Sequence, residues 1–159
     1  MDRQRMKAGP GHARAFSLLE VVIVVAIVAM LAAIAIPRFG AGTRHAEESA
    51  LKKDLDILRT AIEHYAAEHL GAYPTNEAQL LQYSDADGNT STKLETLHIF
   101  GPYIHHIPSL PVGQHKGRSG VGVADGPDIG WIADWPKGEI RANTLPDEKD
   151  HTGKAFIDY

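Results

Sequence analysis

Hydrophobic and polar positions follow two different periods in the first half of the chain and neither in the second. From Phe16 to Ile36 the sequence is apolar at nearly every position, interrupted by Ser17 and Glu20 alone. Those twenty-one residues span roughly 31 Å as a helix, close to the ~30 Å hydrocarbon core of a bilayer, and predict a membrane-spanning helix. From Thr43 the apolar positions recur at steps of four and three, at Leu51, Leu55, Leu58, Ile62, Tyr65 and His69, with Ala50, Ala61 and Ala66 beside them. This is the stripe of an amphipathic helix that packs on one face. Glu48 precedes Lys52 by four residues, and Arg59 precedes Glu63 in the weaker order, so the opposite face reads as solvated. The helix is expected to stop near Leu70, with Gly71 as a left-handed cap and Pro74 barring continuation. Between the two patterns stand Pro37 and the stretch Gly40-Ala41-Gly42-Thr43, whose two glycines and threonine give it little helix propensity. They predict either local loosening of one long helix or a plain membrane-exit linker.

Beyond residue 70 glycine and proline are dense. Thr75 or Asn76 can cap a short helix within residues 76–83, turning Ala78, Leu80 and Leu81 inward. Residues 84–92 form a polar loop, and the prolines in residues 98–111 confine that stretch to irregular or edge structure. Residues 130–134 and 139–143 alternate as strands around Trp135, Pro136, Lys137 and Gly138, which predicts a hairpin. Residues 144–159 are too polar to assign. The fold class is therefore α+β: a long N-terminal helix, transmembrane in its first half and amphipathic in its second, packed on a small domain with a short antiparallel hairpin and long loops.

A chain of 159 residues holding such a span leaves one modest soluble domain. Arg3, Arg5, Lys7 and Arg14 against Asp2 make residues 1–15 basic, and without them the formal charge moves from −4 to −7. Such a balance speaks against nucleic acid, because phosphate neutralisation needs clustered Lys and Arg. Positive charge before the apolar run keeps the amino terminus cytoplasmic and places the remainder outside the inner membrane. An ordinary secretory signal has a 7–15-residue apolar region cut at its end. This run is longer and closes on Pro37, Arg38 and Phe39. The chain has no cysteine, so no disulfide holds the domain. Glu20 is the only ionisable residue in the run. A lone carboxylate at that depth costs about 2.5–3.5 kcal/mol, and it either stays hydrated at the interface or finds a partner.

Arg14 and Ala15 followed by Phe16-Ser17-Leu18-Leu19-Glu20, with Pro37 near the end of the run, resemble the amino-terminal signature of type IV pilins and of type II secretion pseudopilins. The resemblance implies cleavage by a prepilin peptidase between Ala15 and Phe16, and N-methylation of Phe16. The family usually carries Gly where this chain has Ala15. It further implies that the freed amine of Phe16 neutralises Glu20 of a neighbour while the helices pack as a filament core. Tyr73-Pro74-Thr75 directly after the long helix, the absence of a cysteine pair and the small hairpin domain resemble in particular the major pseudopilin of type II secretion. The implied organisation is a cleaved leader (1–15), a transmembrane half-helix (16–37), an amphipathic half-helix (38–70) and a globular loop and β domain (71–159). The implied partners are further copies of the chain, the peptidase, an inner-membrane assembly platform and minor pseudopilins. A type IV or competence pilin, and a single-span anchored binding module that never assembles, are the alternatives.

Asp85, Asp87 and Asn89 offer hard oxygen ligands at alternate positions, the spacing of a calcium-wrapping loop. The loop is not an EF-hand, since Gly88 stands fourth where that motif needs a sixth-position Gly, although Glu95 is placed to close it. A solvated acidic turn is the other reading. The resemblance implies calcium in a carboxy-terminal loop, which makes Asp125 and Asp128 the competing site. Residues 113–120 are basic but fail the phosphate-loop spacing, with three residues between Gly113 and Gly117 and Arg118 where Lys is needed, and read as a mobile loop. His105 with His106, and His64 with His69, diverge, so no four-ligand zinc set emerges. No nucleophile elbow or paired-carboxylate site is present, and catalysis is not expected.

Overall fold

The structure, a computed structural model, describes residues 17–159; within residues 34–41 it describes the backbone and not the side chains. Residues 1–15 and Phe16, hence the expected cleavage and methylation positions Ala15 and Phe16, lie outside the described residues, as does the side chain of Pro37. The chain divides into two units, Met1–Ala41 and Gly42–Tyr159.

In the first unit Ser17 precedes helix α1 (Leu18–Glu68), and its carbonyl accepts from the Val21 amide at 3.2 Å. The large apolar side chains from Leu18 to Leu31 are exposed, Leu18 at 82% and Met30 at 69%. Among the described residues no helix is long and apolar enough to cross a membrane. The membrane-spanning half expected over residues 16–37 is therefore not found among them. α1 runs as a single element through residues 37–42, where the sequence predicts loosening or a linker.

In the second unit Leu51, Leu55, Leu58, Ala61, Ile62, Tyr65 and Ala66 of α1 are buried, as the stripe predicts. Each large side chain removed from water contributes about 1.5–3 kcal/mol. The solvated face needs correction at two places. Glu48 is buried and accepts hydrogen bonds from His151 instead of serving Lys52. Arg59 reaches the main-chain oxygens of Ile140 and Tyr159 instead of Glu63. The helix ends where expected and Gly71 is left-handed (φ 87), its amide bonding back to the Ala66 carbonyl at 2.8 Å; Leu70 before it is left-handed as well (φ 56).

Helix α2 (Ala78–Leu81) is a single turn; the Asn76 side chain accepts from its first amide, and Leu80 is fully buried. The loop expected over residues 84–92 is instead a small hairpin, with β1 (Tyr83–Ser84) antiparallel to β2 (Thr90–Ser91). The main sheet has the order β3-β4-β5, with β3 (Gly120–Gly122) parallel to β4 (Ile129–Asp134) and β5 (Glu139–Ala142) antiparallel to it. β4 and β5 are the expected hairpin, Trp131 opposite Ala142 and Ala133 opposite Ile140, turned by a 3₁₀ segment and left-handed Gly138. Strand β3 is an addition. The inner face of the sheet (Trp131, Ala133, Ile140, Ala142) joins Leu110, Val112, Trp135 and Phe156 and the α1 stripe in one core. The buried Trp131 indole donates to the Pro108 carbonyl at 2.7 Å.

Candidate functional site

Glu20 lies in the first turn of α1 and is exposed. A carboxylate there opposes the positive end of the helix dipole, a favourable placement worth a few tenths of a kcal/mol to about 1 kcal/mol. It heads the exposed apolar surface of Leu18 to Leu31. This part of the helix offers apolar area with one negative charge near its start, a surface suited to packing against other apolar partners.

The structure uses Asp85 as the organiser of its own turn. Its Oδ1 accepts from the amides of Asp87 and Asn89 at 3.0 and 2.9 Å, and its Oδ2 from the Asn89 side chain at 2.8 Å. The Asn89 side-chain hydrogen bond leads the interactions that hold the Asp85 carboxyl below its ordinary pKa, against the upward pull of burial. Gln79 of α2 ties this turn to the segment before α2, accepting from the Thr75 amide and donating to the Gly88 carbonyl at 2.7 Å. Gly88 has φ 82, and a Cβ there would stand 2.7 Å from the Gln79 amide and the Tyr65 hydroxyl. Asp125 is held differently, by the Asn143 side chain at 2.8 Å, with His115 Nδ1 3.7 Å away. Its carboxyl is lowered, first by the Asn143 bond. Asp128 is exposed and left-handed.

Residues 113–120, expected to be mobile, are pinned. The Leu110 amide donates to the Arg118 carbonyl and the Gly117 amide to the Leu110 carbonyl, both at 2.8 Å, while Lys116 pairs with Glu47 at 2.6 Å. His64, His105 and His106 are exposed, and His69 is buried between the Tyr65 and Asp85 carbonyls.

The tail that the sequence leaves unassigned carries the strongest polar cluster. Asp150 accepts from the amides of Thr152 and Lys154 and from the Tyr159 hydroxyl. The Tyr159 bond pulls the Asp150 carboxyl far below its ordinary range and pushes the Tyr159 hydroxyl up to about 12. Next to it, Glu48 Oε1 accepts from the His151 amide at 3.0 Å and Oε2 meets His151 Nδ1 at 2.5 Å. Burial raises the Glu48 carboxyl, but its bonds to the His151 side chain and amide outweigh burial and leave it lowered. His45 Nδ1 lies 3.9 Å from the same Oε2. Among the described residues His45, Glu48 and His151 are the group of His, Asp or Glu donors whose ligand atoms all come within 4.8 Å, the spacing a metal ion requires. The sequence reading missed them. The available signal was that His45 and Glu48 continue the buried stripe from Leu51 backwards by steps of three.

A family model described as the prokaryotic N-terminal methylation motif matches residues 11–36. That match covers the expected cleavage point, Glu20 and the apolar run, and supports a type IV pilin-like precursor processed by a prepilin peptidase. It does not distinguish a pseudopilin from a pilin. Comparison with curated proteins and with solved structures finds no match.

Proposed function

We propose that this chain is a structural subunit of the pseudopilus of type II protein secretion, a periplasmic filament assembled through the N-terminal helix. The observation that carries the reading is the methylation-motif match over residues 11–36. The exposed apolar surface from Leu18 to Leu31 supports it, because such an area in water calls for a cover: lipid before assembly and neighbouring subunits after it. In this reading the precursor is a single-pass inner-membrane protein with its amino terminus cytoplasmic and its domain on the far side. The preference for a secretion pseudopilus over a type IV or competence pilus rests on Tyr73-Pro74-Thr75 after α1, on the absence of cysteine and on the small three-stranded sheet. Prepilin peptidase, an inner-membrane platform and minor pseudopilins are the partners it requires.

Mass spectrometry of the assembled protein tests the reading, with a methylated Phe16 amino terminus expected. An intact leader on functional assembled protein overturns it. Deletion should stop export of secreted proteins without removing surface fibres. Surface fibres built of this chain would point to a type IV pilus, and an uncleaved, monomeric membrane form to an anchored binding module.

A further inference from the structure

Helix α1 and the tail of the same unit meet at a cluster that the filament reading does not use. We infer that His45, Glu48 and His151 bind one divalent transition-metal ion of the zinc class, which staples the tail to α1.

The donor set comes first. Two imidazoles and one carboxylate are borderline nitrogen and oxygen ligands, matched to zinc and its neighbours and poorly matched to calcium or magnesium, which take oxygen alone. Three protein ligands with a fourth position left to water is an established zinc arrangement. Distances come next. A tetrahedral ion about 2.0–2.1 Å from each donor sets donors about 3.3 Å apart. The two contacts to Glu48 Oε2 straddle that value, His151 Nδ1 at 2.5 Å and His45 Nδ1 at 3.9 Å. The imidazole rings stand edge to face with centroids 4.5 Å apart, close enough for both to address one point.

Freedom to adjust is distributed as a site needs. The Glu48 side chain is 8% exposed and fixed by the His151 amide, whereas the His45 and His151 side chains are 58% and 50% exposed and can rotate. The ion replaces the hydrogen shared by Glu48 and His151 Nδ1, and that proton passes to solvent. An open cavity of about 390 Å³ beside the cluster is lined by Glu47, Glu48, Asp147 and Glu148 against Arg44 and Lys149, so its charge favours a cation. Glu48 and His151 are 103 residues apart, so the ion would close a long loop and act on stability directly.

The test uses the full chain in detergent, stripped with a chelator and titrated with zinc against a chromophoric competitor. One zinc per chain is expected, with a rise in melting temperature, and cobalt should give the visible absorption of a tetrahedral nitrogen and oxygen site. His45→Gln and His151→Gln, both exposed and able to keep a hydrogen bond to Glu48, should each weaken zinc by at least about 100-fold and abolish the melting shift. A His105→Gln, His106→Gln double variant should bind as wild type. Because either single variant could disturb the fold, zinc protection of His45 and His151 from chemical modification is read in the unaltered chain as well. Absence of zinc binding by the folded protein overturns the site. So does binding that survives both single substitutions, binding lost with His105 and His106, or modification of His45 and His151 that zinc does not slow.

Discussion

At the scale of single residues, Leu70 shows what a correct sequence reading can still leave out. Gly71 is left-handed as its composition suggests (φ 87), but Leu70 before it takes a left-handed conformation too (φ 56), which nothing in the sequence signals. A β-carbon in this region costs about 1–2 kcal/mol, and Leu70 is fully exposed at 103%, so no burial offsets it. Leu70→Gly is therefore expected to raise stability by about 0.5–1 kcal/mol after the greater freedom of the unfolded chain is deducted, while Leu70→Ala, which keeps the β-carbon, changes it little. Urea denaturation of the two variants beside wild type checks this; equal midpoints for glycine and alanine would show that the strain is relieved elsewhere. Glu48 departs from its local signal for a related reason. An acid four residues before Lys52 is the ordinary mark of a solvated helix face, and only a residue 103 positions away turns that place into a buried one. Asp85 shows the opposite case: alternating oxygen ligands are legible as a turn, but only the folded turn brings the amides of Asp87 and Asn89 and the Asn89 side chain onto the Asp85 carboxylate.

At the scale of elements, what the sequence revealed were long periods. The α1 stripe and the β4–β5 hairpin stand as expected because each repeats its pattern over several residues and closes locally. β1, β2 and β3 were not legible, being two or three residues long, and β3 is glycine-rich and pairs in parallel with β4 across a loop. No local pattern specifies such a partner. The stripe itself makes a quantitative prediction. Leu58 is 0% exposed and lies in the core, while its neighbour Ile57, about 100° further round the helix, is 38% exposed. Leu58→Ala should cost about 2–5 kcal/mol by leaving a cavity, and Ile57→Ala within about 0.5 kcal/mol of nothing. Comparable losses from both, measured by denaturation, would mean that the periodicity does not set the packing of this unit.

At the scale of the whole molecule, the proposed filament reading places assembly on a charge that the fold does not need. Glu20 is exposed, so removing it opens no cavity, and α1 retains its apolar surface from Leu18 onward. Within a bilayer the change Glu20→Leu relieves an insertion cost of about 2.5–3.5 kcal/mol, so the membrane form should become no less abundant. Under the proposed filament reading the loss appears only when subunits add. A freed amine at Phe16 and a neighbour's Glu20 would pair in an apolar helix core, and breaking such a buried pair by removing one partner costs about 3–5 kcal/mol, because the other charge is left without compensation. At each addition that is enough to reduce incorporation by more than about a hundredfold. The expected outcome is thus a cleaved, methylated, abundant Glu20→Leu chain that forms almost no filaments, read by shearing and electron microscopy beside wild type, with leader processing and membrane level followed in both. Filaments of normal number and length from such a chain would remove the amine pairing from the assembly step and leave Glu20 as a hydrated residue at the membrane interface.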